Sequence, residues 1–149
     1  MSQQNHAAAY SAHQRKDETV RETEAHALLS CASRLETVRD ENTSREDFFA
    51  ALRHNQELWT LFQVCLCESD NPLPMELKAL LLNLSRYVDK VTFRALSEGD
   101  RTLLRSLVTI NRHLAAGLQK KAEEEKTTMT AATAPMTDTT TPQSIMTSA

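Results

Sequence analysis

The sequence predicts an all-α fold, specifically a small antiparallel four-helix bundle with a flexible N-terminal arm and a disordered C-terminal tail. Three observations support this prediction. Apolar residues recur at helical spacing in four separate stretches. The 149 residues include only two glycines and four prolines, which is few for a loop-rich or all-β protein. Aromatic residues are 5 % of a chain that is 40 % hydrophobic, so leucine and alanine must build the core.

The first helix opens a predicted helical domain at residues 18–125. Residues 1–17 before it are polar and are predicted to be a flexible arm, in which Tyr10 and its neighbouring alanines are compatible with a short helical arm. Thr19 and Glu22 have the spacing of a capping box, which satisfies free amides at a helix start. We expect this helix to end near Asp40. Its apolar positions are Ala25, Leu28, Cys31, Ala32, Leu35 and Val38.

The second helix is predicted to start after Ser44, a favourable N-cap residue, and to run to Cys67. Its stripe consists of Phe48, Leu52, Asn55, Trp59, Phe62 and Leu66. The prolines of "ESDNPLP" end it, because proline cannot donate a helical hydrogen bond and restricts the residue before it. Pro74 suits the first turn of a third helix. The stripe of that helix is Leu77, Leu80, Leu81, Leu84, Val88 and Val91.

The fourth helix follows "SEGD", in which Gly99 is the flexible position and Asp100 the expected cap. Its stripe consists of Leu103, Leu104, Leu107, Ile110, Asn111, Leu114 and Leu118. Residues 126–149 are rich in threonine and contain two prolines, so they bury too little apolar surface to offset the entropy of ordering. We therefore predict a disordered tail there.

Two asparagines interrupt apolar stripes, Asn55 in the second helix and Asn111 in the fourth. In one interpretation both are buried and bonded to each other or to a backbone carbonyl, which fixes the alignment of the two helices. In the other, both line a groove and offer their amides to the backbone of a partner. The helical period is compatible with either arrangement.

Catalysis and metal binding have little support in the sequence. It contains no glycine-rich phosphate loop, no nucleophile motif at a strand–helix turn and no spaced metal-binding dyads. Cys65 and Cys67 would lie about 200° apart around a helix, so they cannot share one metal, and we interpret them as small hydrophobes in or near the core. The sequence therefore predicts neither an enzyme nor a cofactor, metal or small-molecule substrate.

Charge and hydropathy restrict the setting of the protein. A net charge of −3 gives no global attraction to nucleic acid or to anionic membranes. No apolar run approaches the roughly 20 residues that span a bilayer. Three cysteines without a secretory signal suggest reduced thiols and a cytoplasmic location. We expect the five histidines to be surface residues.

The third helix carries a basic row at four-residue spacing, which consists of Arg86, Lys90 and Arg94. Arg101, Arg105 and Arg112 add positive charge to the fourth helix. Such rows can follow a phosphate backbone, but this one is interpreted as lacking interleaved aromatic residues for base stacking. A solvated face is the favoured interpretation.

Several segments, taken in order, resemble the FlaF family of flagellar biosynthesis regulators over about residues 10–118. They are Tyr10, "RETEAHALL", "ALRHNQELW", "LPMELKALLLNLSRYV" and "INRHLAAGL". The resemblance implies a small, non-enzymatic, cytoplasmic helical protein that controls flagellin synthesis and secretion. It also implies flagellin as a secretion client and FlbT, a regulator of flagellin mRNA translation, as a companion, with any link to flagellin mRNA indirect.

For such a protein we predict an apolar groove that shields an amphipathic helix of unassembled flagellin. An aromatic anchor with polar neighbours is the expected hot spot. The predicted partner-binding residues are Asn55, Leu58, Trp59, Phe62, Asn111 and Arg112. Trp59 is equally compatible with a core position. The alternative function is a post-transcriptional regulator that binds flagellin mRNA directly through the basic row.

Overall fold

A computed structural model of the chain describes residues 19–133. Over this range the chain forms four α-helices and one short 3-10 helix, and it has no strand, which confirms the all-α prediction. The elements are α1 (Val20–Thr37), α2 (Arg45–Cys67), α3 (Met75–Glu98), the 3-10 helix (Arg101–Leu103) and α4 (Leu104–Thr133). The predicted arm at residues 1–17 and the part of the predicted tail after Thr133 lie outside the described residues.

Local side-chain chemistry sets where the helices begin. The Thr19 hydroxyl accepts a hydrogen bond from the Glu22 amide at 3.2 Å, and the Glu22 carboxylate accepts one from the Thr19 amide at 3.1 Å. Ser44 Oγ accepts from the amide of Asp47 at 3.0 Å. These bonds satisfy amides that have no partner inside the helix, and they confirm both predicted N-caps.

The turn between α3 and the 3-10 helix also follows the prediction. Gly99 closes α3 in the left-handed region, with φ at 67°, where a Cβ atom would be strained. Asp100 then caps the 3-10 helix by accepting a bond from the amide of Thr102 at 2.9 Å. Its hydrogen bonds with Thr102, the side-chain bond first, lower the pKa of the Asp100 carboxyl.

Two predicted boundaries were displaced. Helix α1 ends at Thr37, and residues 38–44 form a turn-rich connection where the prediction placed the helix end near Asp40. Helix α4 continues through Thr133, past the predicted start of the tail at residue 126. Three threonine hydroxyls in this extension donate to carbonyl oxygens four residues earlier, each at 2.9 Å. Threonine is therefore compatible with the helix here, since its hydroxyl bonds within the turn.

The helices α1 and α4 form the most extensive pairing of the bundle and run antiparallel. At one end Lys126 contacts the Glu22 carboxylate, and at the other the Arg101 side chain contacts the carbonyl of Val38. Buried alanines recur at seven-residue spacing in each helix, at Ala25 and Ala32 in α1 and at Ala115 and Ala122 in α4. Small side chains at this spacing let two helices approach closely along a coiled-coil seam.

Arg101 is a structural residue rather than part of a solvated basic face. Its guanidinium donates to the carbonyl oxygens of Val38 at 2.7 Å, Asp40 at 2.8 Å and Thr43 at 2.8 Å. It also lies over the ring of Phe48, 5.0 Å from the centroid. The planar fork of arginine thus holds the α1–α2 connection against the start of α4. This corrects the expectation that Arg101 belongs with the solvated cations.

Helix α3 is displaced along its neighbour α2. Gln63, close to the end of α2, donates to the carboxylate of Asp89, which lies in the second half of α3, at 2.9 Å. The first half of α3 therefore extends past the carboxyl end of α2. Accordingly Val88, Val91 and Ala95 are buried, whereas Leu77 and Leu80 are exposed by 39 % and 63 %. The predicted apolar stripe of this helix is core in its second half only.

Candidate functional site

A buried polar cluster joins α1, α2 and α4. The amide nitrogen of Asn111 donates to Asn55 Oδ1 at 2.7 Å and, more weakly, to the carbonyl of Leu28 at 3.4 Å. Asn111 Oδ1 accepts a bond from the indole nitrogen of Trp59 at 3.0 Å. The side-chain amide nitrogen of Asn55, Nδ2, has no hydrogen-bond partner within the described residues. The cluster fixes one alignment of the three helices, because a shift of either asparagine would leave further buried groups unpaired.

This cluster decides between the two interpretations of the asparagines. Asn55 and Asn111 are both fully buried, and they bond to each other as the first interpretation predicted. Trp59 is 1 % exposed and belongs to the core. A partner cannot reach the amides of these asparagines in this fold, so the groove-lining interpretation of Asn55 and Asn111 is wrong.

A groove of about 480 Å³ opens at the end of the bundle where α3 runs past α2. Its volume lies within the range of roughly 300–1,000 Å³ that is usual for ligand sites. Leucines dominate its walls, and the indole of Trp59 forms part of its floor. The apolar lining residues are Trp59, Phe62, Leu66, Leu73, Pro74, Leu77, Leu81, Leu114 and Leu118.

The other predicted partner-binding residues are distributed between this groove and the surface. Phe62 is half-buried and lines the groove, where its ring meets that of Trp59 edge to face with centroids 5.7 Å apart. Leu58 is also half-buried but packs against the core outside the groove. Arg112 is exposed on α4 and is not a groove residue. From the predicted set, the structure therefore places Trp59 and Phe62 at the groove and joins Trp59 to Asn55 and Asn111 in the buried cluster.

Charged side chains occur at the edge of the groove. Arg21 and Glu24 form an ion pair at 3.2 Å at the start of α1, and Lys121 approaches from α4. The polar side chain of Asn71 also lines the groove, and its Nδ2 donates to the carbonyl of Cys65 at 3.0 Å. The groove thus has an apolar floor and a mixed-charge rim, the usual arrangement of a protein-binding surface.

Most groove residues were assigned to the core by the sequence pattern. Leu77, Leu81, Leu114 and Leu118 occupy regular stripe positions, and a stripe does not reveal whether a neighbouring helix covers it. A signal was available in the connection, since "NPLP" places Leu73 between two prolines and keeps the chain from continuing α2. Such a connection lets α3 start away from α2, which leaves its first turns without a full set of neighbours.

The cysteines also depart from expectation. Cys65 and Cys67 are both exposed, not buried near the core, and Cys65 lies at the groove edge. Cys31 is buried, and burial raises the pKa of its thiol.

No group of three or more metal-binding side chains occurs in residues 19–133. Within the same residues no helix is both long and apolar enough to cross a bilayer. His26, His54 and His113 are exposed as predicted, while His6 and His13 lie outside the described residues.

Residues 6–118 of the chain match the protein family "Flagellar protein FlaF". The chain belongs to the FlaF family. This span covers α1, α2, α3 and the first half of α4, and it includes every groove residue except Lys121. No curated protein and no solved structure matches the chain. The FlaF family therefore places this helical bundle in flagellar biology, and the groove is its candidate functional site.

Proposed function

We propose that this FlaF-family protein controls flagellin synthesis and secretion by binding flagellin in the cytoplasm as an export chaperone, and that it acts together with FlbT. It acts by binding and carries out no reaction of its own. The groove at the end of the bundle would hold an amphipathic helix of unassembled flagellin. Family membership supports the flagellar setting, and the groove supports the mode of binding.

The single observation that carries the proposal is an apolar groove left open at the end of the bundle where α3 runs past α2. Leu73, Leu77 and Leu81 form one wall from the α2–α3 connection and α3, while Leu114 and Leu118 form the other wall from α4. A helix that presents apolar residues at i, i+3, i+4 and i+7 fits between two such walls. Exposed apolar surface of this kind on a small protein marks an interaction site.

Burial explains why a helical client would bind here. Leu77 is 39 % exposed, so a client can remove further apolar surface from water, with a gain of roughly 25 cal/mol per Å². The ion pair of Arg21 and Glu24 and the ammonium of Lys121 lie at the edge, where they can orient a client with charges of both signs. These rim charges contribute to orientation more than to affinity.

The test uses two leucines of one helix. Leu77 lines the groove, whereas Leu80 lies outside the groove lining and is exposed by 63 %. Leu77→Glu should weaken the binding of purified flagellin at least tenfold in isothermal titration calorimetry, because it places a charge against the client. Leu80→Glu introduces the same charge in the same helix and should leave flagellin affinity within about twofold of the parent. Both variants should keep the circular-dichroism spectrum of the parent, since both positions are solvent-accessible.

The two variants also separate this proposal from other modes of binding. Equal flagellin affinity for Leu77→Glu and the parent would disprove the groove as the client site. A loss of affinity in both variants would assign the client to the outer surface of α3 instead. Binding through the groove should persist as salt rises, because the contact is apolar. A separate titration with FlbT, with and without flagellin, tests whether the two proteins bind together or compete.

A further inference from the structure

The face of α3 turned away from the bundle carries three cations and two aromatic rings. Arg86, Lys90 and Arg94 are all exposed and recur every four residues, which spaces them roughly 6 Å apart along the helix. The buried residues of this helix, such as Val88 and Ala95, lie on the opposite side. The cations therefore form a straight row on an outward surface that no other element covers in the described part of the chain.

Aromatic side chains do accompany this row, contrary to the interpretation of the sequence. Phe93 is 72 % exposed and Tyr87 is 47 % exposed. Phe93 lies one helical turn after Lys90 and seven residues after Arg86, so its ring shares the face of these two cations. Tyr87 borders the same face. The exposed ring of Phe93 offers a stacking platform beside the positive charges.

Carboxylates near this face pair with Arg94 but leave Arg86 and Lys90 without an ion pair in the described part of the chain. Helix α3 contains only three carboxylates, those of Glu76, Asp89 and Glu98. Asp89 points towards α2, where Gln63 donates to it at 2.9 Å. Glu98 makes one exposed ion pair with Arg94 at 3.5 Å, which is a weak contact. Asp89 lies between Arg86 and Lys90 in the sequence, but its carboxylate is the one bonded to Gln63. Asp100, just after the helix, also lies near Arg94.

We propose that this outer face of α3 binds single-stranded RNA. The phosphates would contact Arg86, Lys90 and Arg94. The spacing of these side chains along the helix is comparable with the distance between successive phosphates of an extended strand. A base would stack on Phe93 and a second on Tyr87, a mode of binding that tolerates many sequences. A protein partner is the less favoured ligand, because the cations form an evenly spaced row without a shaped apolar pocket.

This face is separate from the groove. The groove is lined from α3 by Leu77 and Leu81, which lie on the same side of the helix as the buried residues. RNA and a client in the groove could therefore be bound at the same time. The proposal for the outer face does not depend on the identity of the client.

Fluorescence anisotropy with a labelled, unstructured uridine homopolymer tests the proposal on the full-length chain. Three phosphate contacts predict that the logarithm of the association constant falls with the logarithm of salt with a slope of about −2. Arg86→Gln with Lys90→Gln should reduce that slope to about −0.7, the value for one contact. Phe93→Ala should weaken binding at least fivefold with the slope unchanged, as the loss of one stacked base predicts.

The control is the pair Arg53→Gln and Arg105→Gln, which removes the same charge from exposed positions of α2 and α4. This control should bind RNA within about twofold of the parent. All variants should retain the parent helical signal, because every altered side chain is exposed. Leu77→Glu should also bind RNA normally, so a failure of the groove proposal remains distinguishable from a failure of this one.

Several outcomes would overturn the assignment. They are the absence of RNA binding, an equal loss in the control pair, or an unchanged salt slope after the two substitutions on α3. Binding to vesicles of phosphatidylserine without binding to RNA would assign the face to a lipid surface. Binding of a purified acidic protein to this face without RNA binding would assign it to a protein partner. Either result would replace the proposed ligand.

Discussion

The buried Asn55–Asn111–Trp59 cluster predicts an unusual result, in which a double substitution is less harmful than one of its single components. Asn111→Leu keeps the side-chain volume but leaves the indole N–H of Trp59 and the amide oxygen of Asn55 without partners. Each buried unpaired group costs roughly 1–3 kcal/mol, so the free energy of unfolding should fall by about 4 kcal/mol. That is a large part of the 5–15 kcal/mol typical of a folded domain.

The companion substitutions give different values. Asn55→Leu leaves Asn111 with its bond from Trp59 and the weaker contact to Leu28, and it removes an amide nitrogen that already lacks a partner. Its cost should be about 1–2 kcal/mol. Combining both substitutions leaves the indole N–H as the one newly unpaired group, so the double variant should lose only about 2 kcal/mol.

Urea unfolding followed by circular dichroism and by the fluorescence of Trp59, the one tryptophan of the chain, measures these differences. With a slope of about 2 kcal/mol per molar urea, Asn111→Leu should lower the midpoint by about 2 M and the double variant by about 1 M. A double variant whose loss equals the sum of the two single losses would refute the reasoning. It would show that the two asparagines do not depend on each other.

Four further predictions concern the packing and the titrating groups. Arg101→Lys should lower the free energy of unfolding by about 2–4 kcal/mol in urea titrations, because lysine cannot reproduce the planar fork that bonds three carbonyls; a change below 1 kcal/mol would contradict this role. Gly99→Ala should cost about 1 kcal/mol, since alanine is strained at a φ of 67°; an unchanged melting temperature would argue against it. Ellman's reagent should modify two thiols of the native protein quickly and reach Cys31 only on unfolding, because that thiol is buried and its pKa is raised; three equally fast thiols would exclude this. The hydrogen bond from Lys126, and next that from the Thr19 amide, lower the pKa of Glu22 below 4.5. The contribution of Glu22 to stability is therefore present above that pH and is lost as the pH falls through the lowered pKa. Glu22→Gln should flatten the acid limb of a curve of stability against pH, and a curve parallel to that of the parent would refute this.

The helices and their starts could be predicted because their determinants are local. Thr19, Ser44 and Asp100 each bond to amides two or three residues away, and such spacing is visible in the sequence. The pairing of Asn55 with Asn111 could be anticipated for a related reason, because two polar residues in apolar stripes of one bundle are best satisfied by each other.

The position and lining of the groove could not be predicted, because they depend on how far one helix slides along another. The displacement of α3 along α2 leaves Leu77 accessible and makes Cys65 a groove-edge residue, yet the apolar period is the same with or without the displacement. The position of Trp59 was ambiguous for a similar reason. Whether it lies in the core depends on tertiary contacts, such as its indole bond to Asn111, which is 52 residues away in sequence.

The antiparallel pairing of α1 and α4 affects how the protein is made on the ribosome. Of the described helices, α1 is synthesised first and finds its main partner in α4, which is synthesised last, as the contact between Glu22 and Lys126 shows. At roughly 5–20 residues per second, α1 waits several seconds for α4 to emerge. Until then its alanine and leucine seam is exposed on the nascent chain, so a chain interrupted before α4 cannot bury that surface and is a natural substrate for proteolysis.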